Sequence, residues 1–183
     1  TMSAIEGSSR RISDITGLID SIAFNESRGG MPWARAKIMA ADIYAARGKT
    51  DSAVAEYDGL IKDEPGIELA YRLAGRALLL ANQEARAKWY LQQAYTLQPS
   101  AMTGFALGKI ELKEKNLPGA LALLQQAVQM SPNMAPALYE LSLAYALSHD
   151  IDRARSTAIR LAQIAPNYPG LPQWMSTIGL VQR

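Results

Sequence analysis

The chemistry this sequence could carry begins with its single histidine. His149 stands in the stretch "SHDID", followed by Asp150 and Asp152. A histidine with two carboxylates is the smallest set from which general acid–base catalysis or a partial metal site is built. On one short turn these side chains do not converge, and Asp150 reads better as a helix N-cap with Asp152 as a first-turn acid favoured by the helix dipole. The serines have no histidine at a spacing that would activate them. There are no cysteines, which excludes disulfides, thiolate metal sites and cysteine nucleophiles. No glycine-rich phosphate loop follows a strand. The expectation is a chain with no catalytic residues, no cofactor and no metal. What remains are basic, aromatic and aliphatic residues one helical turn apart: Arg72 with Arg76, Phe105 with Lys109 and Lys113, and Tyr139 with Leu143. Each set occupies one side of a helix. Arginine forks grip carboxylates and aromatic side chains supply buried area, so such faces suit a polypeptide with acidic and hydrophobic residues. The competing reading is that the charges form an ordinary solvated surface.

Those residues need helices to hold them, and the composition allows one sizeable core. The chain has 183 residues, 49% hydrophobic and 20% charged, with 19 basic and 17 acidic residues giving a net charge of +2. So even a balance leaves no electrostatic footprint for nucleic acid or for a membrane surface. No run approaches the roughly 18 uncharged apolar residues of a membrane span. The composition of a soluble protein does not decide the compartment; the plain, alanine-rich pattern suits a bacterial cytoplasm or periplasm equally.

The organisation is read from the prolines. Pro65, Pro99, Pro132 and Pro166 stand 34, 33 and 34 residues apart. Counting back from each, the fifth residue is Leu60, Ala94, Ala127 or Leu161, and the eighth is Tyr57, Leu91, Leu124 or Ala158. The twelfth is always alanine: Ala53, Ala87, Ala120 and Ala154. The twenty-fourth is small: Ala41, Gly75, Gly108 and Ser142. A period in this range means a repeat, and small residues at fixed places mean helices crossing closely. The turn formers "RGKTDS", "ANQE", "KNLPG" and "SHDID" separate two helices per unit. Thr50, Asn116 and Asp150 are the expected N-caps of the second helices, Pro118 fits a first helical turn, and the periodic prolines end each second helix. Gly104 and Gly108 together should cost the third unit roughly 1 kcal/mol each in helix propensity.

At these residues the sequence resembles the tetratricopeptide-repeat family, whose small crossing residue, early second-helix alanine and terminal proline recur here four times. The resemblance implies an all-α, right-handed α-solenoid of stacked antiparallel helix pairs. Its expected limits are 34–166 for four units (34–67, 68–100, 101–134 and 135–168), preceded by an N-terminal segment, 1–33, and followed by a C-terminal capping helix, 169–183. In that family the first helix of each pair lines a concave side that binds peptide. The resemblance therefore places Arg35, Ile38 and Asp42, then Arg72, Arg76 and Leu79, then Met102, Phe105, Lys109 and Lys113, then Tyr139, Leu143 and Leu147 on that side. Chaperone-binding members hold a C-terminal carboxylate with a lysine and an asparagine; Ile38 and Asp42 at the corresponding places argue against that clamp.

The ends carry their own expectations. Ile12, Ile15, Leu18, Ile19 and Ile22 make an amphipathic N-terminal helix before the linker "NESRGGMP", read either as a cap or as an occupant of a groove. Residues 171 to 182 read as a helix covering the last apolar face, with Trp174 as packing. The leading function is an interaction module that binds a protein or peptide segment, with no nucleic acid and no membrane insertion. The alternatives are a homo-oligomerising structural unit and a regulatory domain of a larger enzyme or transcription regulator.

Overall fold

The computed structural model describes residues 32–180, and every regular element among them is helical. The order is α1 (Pro32–Ala46), α2 (Thr50–Asp63), α3 (Glu68–Leu80), α4 (Glu84–Leu97), α5 (Ala101–Lys113), α6 (Leu117–Met130), α7 (Ala135–Leu147), α8 (Ile151–Ile164) and α9 (Leu171–Thr177). The expected N-terminal helix lies outside the described residues. Two compact units divide the chain, Thr1–Tyr90 and Leu91–Arg183, with the boundary inside α4. In the first, α1 packs on α2 and α2 on α3; in the second, α5 packs on α6, α6 on α7 and α7 on α8, each helix returning antiparallel along its neighbour.

The core is built at the positions counted from the prolines. Ala53, Ala87, Ala120, Ala154, Leu60, Ala94, Ala127, Leu161, Tyr57, Leu91, Leu124 and Ala158 are all at most 2% exposed. Ala41, Gly75, Gly108 and Ser142, opposite them on the first helices, are also buried. Small residues at these crossings let the helix axes approach, and each fully buried leucine beside them stabilises by about 1.5–3 kcal/mol.

Two different stop signals terminate the helices. The second helices end at Glu64, Ser131 and Ala165, with φ of −139°, −134° and −141° and ψ of 89°, 85° and 73°. Each precedes a proline, whose ring excludes the α conformation from the residue before it. First helices end instead on a left-handed residue: Gly48 (φ 71°), Asn82 (57°), Lys115 (62°) and His149 (62°). Around each, the following N–H reaches back five residues: Lys49 to Tyr44 O, Gln83 to Leu78 O, Asn116 to Glu111 O and Asp150 to Tyr145 O, all at 2.9 Å. This is the Schellman arrangement, which satisfies carbonyls that a helix end leaves orphaned. The C-terminal helix is shorter than expected for the same reason. Gly179 (φ 71°) follows it, and Leu180 N–H bonds Met175 O at 2.8 Å, so the helix closes at Thr177.

Among the N-caps, Asn116 accepts Gly119 N–H and Asp150 accepts Arg153 N–H, at 3.4 and 3.0 Å. Thr50 does not cap; it is the first residue of α2, and the cap position belongs to Lys49 without a side-chain bond. Ser100, not singled out from sequence, caps α5 through Thr103 N–H at 3.2 Å. The two glycines of α5 have packing reasons. A Cβ on Gly104 would meet the Tyr95 ring at 3.2 Å, and one on Gly108 would meet Leu124 Cγ at 2.7 Å. Glu111 is buried, and its carboxylate accepts Asn116 Nδ2 at 2.6 Å.

Candidate functional site

His149 is exposed at the left-handed turn closing α7, while Asp150 beside it caps α8. Among the described residues no group of three or more His, Asp or Glu is placed to hold a metal.

In the first unit, α3 carries Arg72 and Arg76 one turn apart. Arg72 Nε donates to Glu68 Oε1 at 2.8 Å on the same helix. Arg76 is exposed, and its charge reaches the Tyr57–Asp42 pair, in which Tyr57 Oη donates to Asp42 Oδ1 at 3.0 Å. Burial raises the Tyr57 pKa far above its ordinary value and the Asp42 carboxylate raises it further, with Arg76 offsetting part. The phenol is thus locked as a donor, and Asp42 is oriented by it. Arg35 on α1 is exposed, whereas Ile38 packs partly against the unit's core.

In the second unit, α5 and α7 bring the other residues together. Lys109 Nζ lies 5.6 Å from the centroid of the Phe105 ring and 3.7 Å from Glu140 Oε1. Tyr139 stacks on Tyr168 with ring centroids 5.2 Å apart, and its hydroxyl abuts the backbone of Gly170, where a Cβ would stand 3.1 Å away. Burial raises the Tyr168 pKa, and the Glu140 carboxylate raises it further. Met102 and Leu147 lie on the same faces of α5 and α7 and are 62% and 55% exposed. Leu143 is half-buried and Lys113 exposed. The result is a partly desolvated aromatic surface with an internal cation–carboxylate pair, on which a charge-assisted contact is stronger than in bulk water.

Two members of this face escaped the sequence reading. Glu140 follows Tyr139 directly, so it falls off the one-turn stripe, yet the length of Lys109 spans the gap. Tyr168 lies in "PNYPG", a joint whose prolines announce a turn and not a contact surface.

Residues 38–101 and 111–171 match two sequence models, each described as a tetratricopeptide repeat. No curated protein matches the chain in sequence. Among solved structures, YrrB, described as a TPR protein with an unusual peptide-binding site, superposes with a TM-score of 0.75 at 19% identity, over 87% of this chain and 81% of that one. MamA 41-end from Desulfovibrio magneticus RS-1 gives 0.69 at 18%, over 92% and 94%. PilF of Pseudomonas aeruginosa gives 0.67 at 17%, over 79% and 67%.

Proposed function

We propose, on the premise that this chain belongs to the tetratricopeptide-repeat family, that it is a non-enzymatic interaction module whose first-helix faces bind a segment of another polypeptide. The observation that carries the reading is the face of α5 and α7, where the half-buried Phe105 and Tyr139 are bordered by the Lys109–Glu140 pair, with Met102 and Leu147 exposed near the helix ends. A clustered apolar surface with a polar border marks an interaction site. The peptide binding named for YrrB, a neighbour in fold, agrees with it.

On this reading Phe105, Tyr139 and Leu143 are the apolar anchors, with Lys109 and Lys113 beside them in the second unit and Arg72 and Arg76 on α3 of the first. The preferred segment carries acidic and hydrophobic residues. Glu140 limits how acidic that preference is, because a ligand carboxylate at Lys109 must displace a resident one. The chain serves as part of a larger protein or assembly.

A partner captured with the parent protein provides the test, by surface plasmon resonance at low and high salt. Phe105→Ala or Tyr139→Ala should speed dissociation, since buried aromatic anchors dominate the lifetime of an interface. Replacing Arg76 and Lys109 with glutamate should slow association, most at low salt. Unchanged kinetics in all of these variants, with helical circular dichroism intact, would remove the first-helix faces from the account.

A further inference from the structure

A cleft of about 560 Å³ lies in the second unit between α6 and α8, with α7 as its floor. The floor is apolar and already buried, made by Leu138 and Leu141 with Val128 of α6 beside them, and the rim is polar, with Gln125 on α6 and Ser156 and Thr157 on α8. Among the described residues that line it, Arg160 alone carries a formal charge.

The repeat register explains why the cleft is open. Ser156 and Thr157 are the sixth and seventh residues of α8, the places held in α4 by Trp89 and Tyr90. Leu138, fourth in α7, corresponds to Tyr71 in α3, and Gln125, ninth in α6, to Asp58 in α2. In the first unit these counterparts meet: Trp89 packs on Tyr71 with ring centroids 6.0 Å apart, and Tyr90 Oη donates to Asp58 Oδ1 at 2.7 Å. One unit therefore carries a partly buried aromatic pair at places where the other carries the small side chains of Ser156 and Thr157, over a Leu138 that is itself fully buried.

We propose that this cleft is a docking site for a tryptophan or tyrosine side chain of a partner polypeptide with an acidic residue beside it. An aromatic ring would bury part of its own apolar surface in the cleft, as Trp89 does in part against Tyr71 in the first unit. Gln125 donates its Nε2 to Tyr145 Oη at 3.0 Å, which turns its amide oxygen into an oriented acceptor for an indole N–H or a phenol O–H. The Tyr145 ring is itself held under the Arg153 guanidinium at 4.8 Å. Arg160 donates one N–H to Pro132 O at 2.6 Å, which fixes its fork at the rim with donors left for a carboxylate. The site shares no residue with the α5–α7 face, so either assignment stands without the other.

The probes are N-acetyl-tryptophan amide, which stands for a tryptophan within a chain, and N-acetyl-tryptophan, whose carboxylate stands for the acidic flank. Each is titrated into the isotope-labelled full chain by NMR. The expected result is saturable shifts at Gln125, Leu138 and Ser156, weaker ones with N-acetyl-leucine amide, and tighter binding of the carboxylate form by roughly two- to fivefold, lost in Arg160→Gln. Installing the first unit's pair, Ser156→Trp with Thr157→Tyr, should abolish these shifts and raise the melting temperature. Shifts that cluster elsewhere, or that survive this filled variant, overturn the proposal. So does a concentration-dependent dimer lost in both Ser156→Trp and Trp89→Ala, because Trp89 is 51% exposed and that result assigns the cleft to a second copy.

Discussion

Replacing Gly108 with alanine sets helix propensity against packing. In an unobstructed helix interior the added methyl gains about 1 kcal/mol. Here it arrives 2.7 Å from Cγ and 3.0 Å from Cδ2 of Leu124. Cγ is the branch point of a side chain with no exposed surface, so the leucine cannot swing aside as a long surface chain would. Overpacking of this kind costs about 1–3 kcal/mol, which leaves a net loss of up to about 2 kcal/mol once propensity is subtracted. For a chain of this length that lowers the melting temperature by roughly 2–4 °C per kcal/mol. Gly59→Ala is the control for propensity. Its new methyl meets only the Lys37 ammonium, at 2.9 Å, the mobile tip of a flexible chain, so this variant should melt above the parent. Leu124→Ala supplies the coupling: alone it costs about 2–5 kcal/mol, but in the Gly108→Ala background the clash is gone and the new methyl fills part of the cavity. The double variant should therefore be less destabilised than the sum of the singles by about 1 kcal/mol. Urea and thermal melts followed by circular dichroism measure all four. A Gly108→Ala protein that melts at or above the parent, or strict additivity in the cycle, refutes the close approach.

Two further outcomes follow from the helix ends. Lys115 and His149 each hold a left-handed backbone, which costs a residue with a Cβ about 1–2 kcal/mol, less the roughly 0.5–1 kcal/mol of chain entropy that glycine loses on folding. Lys115→Gly and His149→Gly should each stabilise by about 0.5–1 kcal/mol, and a lower melting point in both contradicts the turn assignment. Asp150 has its pKa held below the ordinary carboxylate value, first by the Arg153 N–H and then by the Arg153 guanidinium. A depressed folded pKa stabilises above the unfolded value, and that contribution is lost as the pH falls through the folded one. Asp150→Ala should thus melt below the parent at neutral pH and converge with it in acid; a gap of equal size at both ends contradicts the lowered carboxylate pKa.

The helix pairing was legible because it is written in residue size. Alanine twelve places before each proline can serve little except a close crossing, and the structure buries all four completely. Second-helix ends were legible too, since proline acts on its predecessor by sterics alone. The places of the first-helix ends were legible from their turn formers, but their backbone was not: Gly48 is an obvious turn residue, whereas nothing in the side chains of Lys115 or His149 announces a left-handed backbone, which is imposed by the bonds closing around them. Thr50 shows the same limit by one residue, as its hydroxyl suits a cap that the turn assigns to Lys49. For the candidate faces, one-turn spacing placed Phe105 and Lys109 on one side of α5. That spacing could not reach Glu140 or Tyr168, whose roles depend on side-chain length and on a loop folding back. The cleft beside Ser156 and Thr157 became readable only when the units were compared position by position, because an absent aromatic has no pattern of its own.

The alternation of the two stops has a consequence for how such a chain can grow. A left-handed residue closes every first helix and a proline closes every second, and the interval between like stops, 34, 33 and 34 residues by the prolines, is what keeps the small crossing residues facing one another. Duplication of one whole interval delivers both stops in phase and a further pair that finds its neighbours ready-made. An insertion of a few residues within a helix rotates every downstream side chain by about 100° per residue against its stop, carrying the alanines off the crossing. Tolerated changes of length are thereby quantised: whole intervals, or extensions confined to the solvent side of the joints. The identity of the residue at each joint is left free to drift, as glycine, asparagine, lysine and histidine at one backbone angle already show.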